Sequence, residues 1–383
     1  MLPRLFNHRW MDEETEAFRD QVRRYIGEAL APGLPEWRAQ GYIPREIWQP
    51  FGELGFLLPE LSAEYGGAGA SLAYQLVVQD ELTKQEFPAV TAVHSIASHY
   101  IVDYGTESQK RRWLPRLASG ELLAGIALTE PGCGSDLKAI RTSARHVGDE
   151  YVIDGAKTFI TNGATANLLV VAVRTGEAGS AGVSLVVLET ENLGGFRVGR
   201  RLDKLGQHAS ETAELFFDGV SVSASNLLGE TEGQGFRQLM NQLPYERLLI
   251  AVPAAAAIER AVELTIQYSQ QRKAFGQTLS EFQNTRFKLA ECATIAHVVR
   301  SFINDCTQRL LDGTLDDEAA YMAKWWCSEQ QCKVTDECLQ LFGGYGYMAE
   351  YPIARMYADS RVQRIYGGTT EIMKELIARE LFA

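Results

Sequence analysis

Helix-length runs of hydrophobic residues dominate the first third of the chain. Within these runs, apolar positions recur every three or four residues, and Gly or Pro separates one run from the next. The spacing predicts helices over residues 13–30, 44–54, 72–84, 90–104 and 108–119. Residues 1–121 are therefore expected to form an α-helical domain.

The pattern changes near residue 122. Short runs rich in Val, Ile and Leu replace the helical spacing, and examples are residues 150–154, 168–173 and 182–187. Runs of this length that are bounded by Gly and polar residues are typical of strands. Residues 122–230 are therefore expected to form an antiparallel β domain.

Long helical patterns return after Gly235 and cover residues 236–271, 279–311, 316–342 and 369–381. Residues 231–383 are therefore expected to form a second helical domain, which gives the order α, β, α. The joins near residues 122 and 230 are short and contain little Pro or Ser, which indicates domains in contact and not flexible linkers. A ligand is expected where the domains meet.

The composition is that of an ordinary globular protein, with 46% hydrophobic and 22% charged residues. The net charge of -12 argues against a nucleic-acid or anionic-membrane surface, because phosphate binding needs a cationic field. No apolar run suits a signal peptide or a membrane span, so we expect a cytoplasmic location and no membrane insertion. The six cysteines lack zinc-ligand spacing, so no metal site is expected.

Two glycine-rich segments offer backbone amides to a ligand. Residues 128–136 (LTEPGCGSD) follow a predicted strand and suit an anion or the edge of a heterocycle, although a tight structural turn needs the same glycines. Residues 366–371 (YGGTTE) precede the last predicted helix, where free amides can bind a carbonyl or phosphate oxygen. Neither Gly367 nor Gly368 has a side chain that can move a proton.

Three further segments have ordinary structural interpretations when each is taken alone. Phe159, in the sequence KTFITNG of residues 157–163, is typical of a core aromatic residue. Residues 271–276 (QRKAFG) and 340–346 (QLFGGYG) are typical of helix ends followed by glycine. Their occurrence together, in this order, is what makes them informative.

In this order the segments resemble the signatures of the acyl-CoA dehydrogenase family, and the resemblance covers nearly the whole chain. It implies an α+β fold with an N-terminal α-helical domain, a middle antiparallel β-barrel or β-sandwich domain and a C-terminal four-helix bundle. It also implies FAD as the cofactor. The residues expected to contact FAD are Ile126, Leu128, Thr129, Gly134, Ser135, Phe159, Ile160, Thr161, Arg272, Phe275, Gln283, Gln340, Leu341, Phe342, Gly343, Gly344, Thr369, Thr370 and Glu371.

The resemblance further implies an acyl-CoA substrate and an oligomer. The residues expected to contact the substrate are Ser135, Pro244, Tyr245, Glu246, Arg247, Gly367 and Gly368. The family match implies that Arg272 reaches the FAD pyrophosphate across a subunit interface, a role that suits the guanidinium fork. This contact needs at least a dimer, and the family implies a homotetramer.

Many family members carry a catalytic glutamate where this chain has Gly367, so the base must lie elsewhere. Glu371 stands in the first turn of the last predicted helix, where a carboxylate commonly caps the helix. Glu246 lies in an otherwise apolar helical segment, where a charge is costly unless it is functional or paired, for instance with Arg247. Long-chain and isovaleryl-type members place their base at the matching position, so the resemblance favours Glu246, with the Gly368 amide polarising the thioester.

The expected reaction is FAD-dependent dehydrogenation of an acyl-CoA thioester to the trans-2-enoyl-CoA, as in fatty-acid β-oxidation, with an electron-transferring flavoprotein as acceptor. Two alternatives remain open. One is a relative that acts on a carrier-protein-bound, branched or aromatic acyl thioester, because His94, Ser98 and His99 make residues 90–104 more polar than a lipid channel needs. The other is a flavin-free binding or scaffold protein on the same fold.

Overall fold

Six α-helices make up the N-terminal region of the computed structural model, which describes residues 10–382. Asp12 begins the first helix with a capping box, in which its carboxylate accepts a hydrogen bond from the Thr15 amide at 2.9 Å. Thr106 and Gln109 form a second capping box at the start of the sixth helix. The helices are α1 (Glu13–Tyr25), α2 (Leu34–Gln40), α3 (Trp48–Glu53), α4 (Leu72–Lys84), α5 (Val90–Tyr104) and α6 (Glu107–Ala118).

A seven-stranded sheet forms the middle region. Its order is β1-β4-β2-β3-β7-β6, with β5 paired to β4. Most pairs are antiparallel, but β1 runs parallel to β4, so the sheet is mixed and not wholly antiparallel. The chain forms the β2–β3 hairpin between these two strands and re-enters the sheet beside β1, a long crossover of the kind that parallel pairing requires. The strands are β1 (Ala124–Ala127), β2 (Ser143–Val147), β3 (Glu150–Thr161), β4 (Leu168–Arg174), β5 (Val183–Glu189), β6 (Phe196–Arg201) and β7 (Thr212–Ser223).

The C-terminal region is helical again. Its third helix, α9 (Asp317–Phe342), packs against α7 (Gly235–Gln271), α8 (Gln283–Leu311) and α11 (Thr370–Leu381). The first helix continues through Pro244 and Pro253, each of which removes one backbone hydrogen bond from it. A hairpin of two short strands, β8 (Lys273–Ala274) and β9 (Gln277–Thr278), follows this helix. The helices are α7 (Gly235–Gln271), α8 (Gln283–Leu311), α9 (Asp317–Phe342), α10 (Pro352–Ser360) and α11 (Thr370–Leu381).

One continuous hydrophobic core joins the three regions. It contains Tyr100 from α5, Val170 from β4, Leu248 from α7 and Val299 from α8, all fully buried. Burial of these side chains stabilises the fold only if the regions stay in contact, because the same side chains fill the space between them. The predicted order of a helical, a β and a helical region is confirmed.

A buried ionic cluster also fastens α4 to α7 and α8. The Arg300 guanidinium on α8 donates to Glu259 at 2.5 Å and to Asp80 at 2.8 Å. Lys84 pairs with the same two carboxylates, at 3.1 Å and 2.7 Å. Arg300, Glu259 and Asp80 are each at most 2% exposed, so water cannot replace a partner that is lost.

In the helices of residues 10–382, no stretch is both long and apolar enough to cross a membrane.

We expect Arg300→Met to lower the free energy of unfolding by about 3–5 kcal/mol, because it leaves two buried carboxylates with one cation. Arg309→Met is the matched control on the same helix: Arg309 is 44% exposed in its pairs with Asp305 and Asp316, so the loss should stay below about 1 kcal/mol. Urea unfolding midpoints measure both changes. Equal shifts in the two variants would show that the buried cluster contributes no more to the free energy of unfolding than an exposed ion pair does.

Candidate active site

A cavity of about 540 Å³ opens where the three regions meet. Its walls come from α4, α5 and α7, from the loops that follow β1 and from the segment before α11. Twelve of the residues expected from the sequence to contact cofactor or substrate line it: Ile126, Leu128, Thr129, Gly134, Ser135, Phe159, Ile160, Thr161, Glu246, Arg247, Gly367 and Gly368.

Helix α7 forms one long wall of this cavity. The residues that border the cavity recur at the three- or four-residue spacing of one helix face, and they extend for about 30 Å along the helix axis. Glu246 lies near the middle of this stripe. The members of the stripe are Phe236, Met240, Leu243, Glu246, Leu249, Ile250, Pro253 and Ala257.

The two ends of the stripe differ in character. At the Phe236 end, the Lys138 ammonium lies 5.4 Å from the centre of the Phe236 ring, and the backbone of Gly134 and Ser135 borders the cavity nearby. At the Ala257 end, α4 packs against α7 and contributes Gln79, Leu82 and Thr83 to the wall. Lys138 thus makes one end of the cavity cationic, whereas the other end combines the apolar stripe of α7 with two polar side chains of α4, and Glu246 lies between the two ends.

The polar residues of α5 do not line the cavity. His94 accepts a hydrogen bond from the Ala124 amide at 3.1 Å, and burial lowers its pKa to about 4, so it is a neutral structural residue. Ser98 donates to the His94 carbonyl at 2.8 Å, and His99 lies 2.7 Å from Glu60. The face of α5 toward the cavity carries Ala92, Val93 and Ile96 instead, and Ala89 borders the cavity just before the helix.

Glu246 is a buried carboxyl group of the cavity, with 8% of its surface exposed. Burial raises its pKa above the usual range, although the Tyr100 hydroxyl and the charge of Arg247 act in the opposite direction. The Tyr100 hydroxyl donates to Glu246 Oε1 at 2.5 Å, and the Arg247 guanidinium stacks 4.5 Å from the centre of the Tyr321 ring. Glu246 is therefore a carboxylate whose free oxygen can take a proton from a ligand in the cavity.

The sequence does not identify Tyr100 as a site residue, because nothing in the pattern distinguishes it from a core aromatic residue of α5. It is fully buried and belongs to the hydrophobic core. Only the packing of α5 against α7 brings its hydroxyl to Glu246. The relevant signal is a contact between residues far apart in the chain, which no local pattern records.

Gly367 and Gly368 both have left-handed backbone conformations, with φ of 62° and 93°. A Cβ atom at Gly367 would lie 2.3 Å from Ile250 Cδ1, and one at Gly368 would lie 2.6 Å from Met373 Cε. Both atoms are flexible side-chain ends that can move, so it is the left-handed backbone that favours glycine here. No hydrogen bond within residues 10–382 uses the Gly368 amide as a donor. An amide in this position is available to a carbonyl oxygen in the cavity.

The other candidate base, Glu371, does not line the cavity. It is exposed in the first turn of α11, where its own backbone amide and the Thr369 hydroxyl lower its pKa. Thr369 caps α11, and the Thr370 hydroxyl donates to Glu329 at 3.1 Å. These three residues hold the helix start and do not face the cavity.

The loop after β1 is fixed from beneath by a buried ion pair. Lys157 Nζ lies 2.8 Å from Glu130 and 3.0 Å from the Leu128 carbonyl, and burial lowers the pKa of Lys157 to about 8. Glu130 in turn accepts hydrogen bonds from the amides of Arg141 and Thr142. The loop therefore presents its backbone to the cavity in one conformation.

Phe159 presents its ring to the cavity and not to the core. Its side chain is 67% exposed, and its φ of 59° places it at a bulge of β3 in a conformation that costs a non-glycine residue about 1–3 kcal/mol. An exposed aromatic face beside the hydroxyl groups of Thr129 and Thr161 fits a planar heterocycle such as a flavin. The expectation that Phe159 stacks on a ligand thus agrees with its position, whereas the core interpretation does not.

The remaining expected residues lie elsewhere in the chain. Arg272 lines a separate, more open groove with residues 340–344, and its guanidinium lies 5.5 Å from the centre of the Tyr345 ring. Phe275, at the tip of the β8–β9 hairpin, is 96% exposed, and Gln283 is also exposed at the start of α8. One chain alone does not bring this groove to the cavity.

Pro244 and Tyr245 do not border the cavity either. Tyr245 turns toward α5, where its hydroxyl lies 2.8 Å from Ser95 Oγ and its ring lies 4.4 Å from the His99 ring. Its contact with α5 holds α7 beside Tyr100.

Comparison with known proteins gives three family matches that together span most of the chain. Residues 12–121 match the acyl-CoA dehydrogenase N-terminal domain, residues 125–220 the middle domain and residues 233–382 the C-terminal domain. The mitochondrial long-chain specific acyl-CoA dehydrogenase of Mus musculus is 44% identical over 97% of this chain and 87% of its own length.

Solved structures give the same result. The crystal structure of an acyl-CoA dehydrogenase from Geobacillus kaustophilus matches with a TM-score of 0.95 and 45% identity, over 98% of this chain and all of that one. A glutaryl-CoA dehydrogenase from Mycobacterium smegmatis in complex with FADH2 matches with a TM-score of 0.90 and 29% identity, over 97% of this chain and 95% of that one.

We expect Glu246→Gln to stabilise the fold as pH rises. Because the folded-state pKa of Glu246 is raised, ionisation costs stability as pH rises through that pKa, whereas little is lost below the unfolded value of about 4.3. The melting temperature of Glu246→Gln minus that of the wild type should therefore grow more positive as pH rises above the unfolded value, and it should level off once Glu246 is ionised in the folded state.

Glu371→Gln is the matched control for this titration. Its pKa is lowered, so its carboxylate stabilises the fold above the unfolded pKa, and its loss should bring no gain at high pH. A pH-independent difference for Glu246→Gln would contradict the buried, ionisable state of Glu246.

Proposed function

Because the chain belongs to the acyl-CoA dehydrogenase family, we propose that it oxidises long-chain acyl-CoA thioesters to trans-2-enoyl-CoA products, with Glu246 as the base. Members of this family are FAD-dependent oxidoreductases of fatty-acid metabolism. The observation that carries the proposal is the position of Glu246: a buried carboxyl group midway along α7 in the wall of a cavity that Gly368 also lines.

Glu246 has the properties that α-proton abstraction needs. A thioester α-proton is weakly acidic, so the base must be stronger than an ordinary exposed carboxylate. Burial provides this by raising the pKa of Glu246, while the Tyr100 hydroxyl holds Oε1 at 2.5 Å and leaves Oε2 for the substrate. Gly367 on the opposite segment has no side chain that competes for the α-carbon.

Gly368 supplies the matching electrophilic group. As the α-proton leaves, negative charge develops on the thioester oxygen, and a backbone N–H aimed at that oxygen stabilises the charge. The left-handed conformation at Gly367 and Gly368 presents this amide, and α11 begins immediately behind it. The two groups that handle the proton and the charge thus come from different elements, α7 and the segment before α11.

FAD would be held on the β side of the cavity by the loop after β1 and by β3, where Phe159, Thr129 and Thr161 supply an aromatic face and hydroxyl groups. When bound, FAD supplies the acceptor for the hydrogen that leaves the β-carbon as hydride. Arg272, Phe275, Gln283 and residues 340–344 would reach the FAD of another subunit, so we propose a homo-oligomer, with a tetramer as the assembly that the family implies.

The cavity supports a long, apolar acyl chain. The stripe of α7 continues about 16 Å from Glu246 to Ala257, and the facing wall of α5 carries only small or apolar side chains. Lys138 at the opposite end suits the phosphate-bearing part of a CoA thioester. We propose an electron-transferring flavoprotein as the acceptor of the electrons, on the basis of the family alone.

We expect Glu246→Gln to abolish anaerobic bleaching of the bound flavin by palmitoyl-CoA, because an amide cannot accept the α-proton; the rate should fall by roughly 10³-fold or more. Gln keeps an oxygen acceptor for Tyr100, so the fold and flavin content should persist. Glu371→Gln should bleach at the wild-type rate. Wild-type bleaching by Glu246→Gln would refute its assignment as the base, and a wild-type protein that neither binds FAD nor bleaches would refute the enzymatic function.

We expect Ala257→Leu to shift the substrate preference toward short chains. The larger side chain fills the apolar end of the cavity and displaces about two methylene groups of a long chain, each worth about 0.8 kcal/mol of burial. The value of kcat/KM for palmitoyl-CoA should therefore fall about tenfold while that for butyryl-CoA stays unchanged. Equal losses for both substrates would argue against this course of the acyl chain, and turnover of carrier-bound or branched thioesters above palmitoyl-CoA would revise the substrate class.

A further inference from the structure

Lys324 is a buried cation directly behind the glycine segment of the active site. It lies on α9, has no exposed surface, and its ammonium donates to the Gly368 carbonyl at 2.5 Å. A buried ammonium group costs several kcal/mol unless it is paired or hydrogen-bonded. The hydrogen bond to the Gly368 carbonyl offsets part of the cost of burying this charge.

Helix α9 fastens the chain at two points that directly follow the Gly368 amide. Lys324 holds the Gly368 carbonyl, and Glu329 holds the Thr370 hydroxyl at 3.1 Å. Glu329 is itself fixed by Arg364 at 2.8 Å. Because a two-glycine segment has many accessible conformations, these anchors decide where its amide points.

The charges around Lys324 come from three helices. Arg247 of α7 lies close enough to lower the pKa of Lys324, and Glu329 of α9 and Glu371 of α11 raise it. Arg247 also stacks on Tyr321 of α9 and follows Glu246 in the chain. Burial is the largest effect, and the pKa of Lys324 is lowered to about 8. Lys324 and Arg247 thus place two positive charges beside the segment where, in the proposed reaction, the thioester oxygen gains negative charge.

We propose that Lys324 is a positioning residue of the reaction, which holds the Gly368 carbonyl so that the Gly368 amide points at the thioester oxygen and which places positive charge behind the developing enolate. The proposal rests on the proposed function. It predicts an effect on the chemical step and not on substrate binding, because the enolate carries charge that the bound thioester lacks.

The experiment compares the wild-type holoenzyme with Lys324→Met, which has no donor, and Lys324→Gln, which keeps a neutral donor. Anaerobic flavin bleaching is followed in a stopped-flow instrument over a range of palmitoyl-CoA concentrations, and this gives a limiting rate and a dissociation constant. We expect the limiting rate of Lys324→Met to fall roughly 10- to 100-fold, with less than about a twofold change in the dissociation constant. Lys324→Gln should recover part of the loss.

The pH profile gives a readout that a purely structural role would not change. The wild-type limiting rate should decline as pH rises past about 8, where Lys324 loses its proton, and both variants should lack this decline. A wild-type limiting rate in Lys324→Met, or in Lys324→Gln if the Met variant does not fold, overturns the proposal, and so does a loss confined to the dissociation constant. Failure of the wild type to bleach with any acyl-CoA overturns the proposed function instead.

Discussion

The burial of one carboxyl group in an apolar helix face is the constraint on which the rest of the site depends. Glu246 remains in this position because Tyr100 donates to it and Arg247 lies beside it, while the surrounding stripe of α7 is mainly apolar. The Tyr100 contact requires α5 and α7 to pack at one fixed separation. The shared hydrophobic core and the hydrogen bond between Ser95 of α5 and Tyr245 of α7 maintain that packing.

Much of the fold follows from local patterns, and some of it does not. The spacing of apolar residues predicted α4 and α5 at the bounds that the structure shows, and it predicted the others of the longer helices to within a few residues. The short helices α2 and α10 were missed because helices of this length carry too few apolar positions for a period to appear. The parallel pairing of β1 with β4 was also missed, since strand direction depends on a crossover that the strand sequences do not encode.

Some residues of the site could likewise be predicted from the sequence, and others could not. Glu246 stood out in the sequence because a charge in an apolar helix needs a reason, and Gly367 stood out because the resemblance left a vacancy there. Tyr100 and Lys324 did not, because each is an ordinary residue in its own helix and meets its partner only through packing. Arg272 illustrates a further limit: its groove lies apart from the cavity in one chain, so its role depends on contacts that a single chain does not contain.

The stripe of α7 also fixes a distance within the site. The proposed base, Glu246, and Ala257 at the other end of the proposed acyl site lie on one continuous helix, so the distance between them is set by helical rise and does not adjust to a ligand. A chain that is too long cannot shift along the channel without carrying its α-carbon out of reach of Glu246. Activity would then fall sharply above one acyl-chain length. The reason is that the position of the chain end and the position of the reacting carbon are fixed by the same helix.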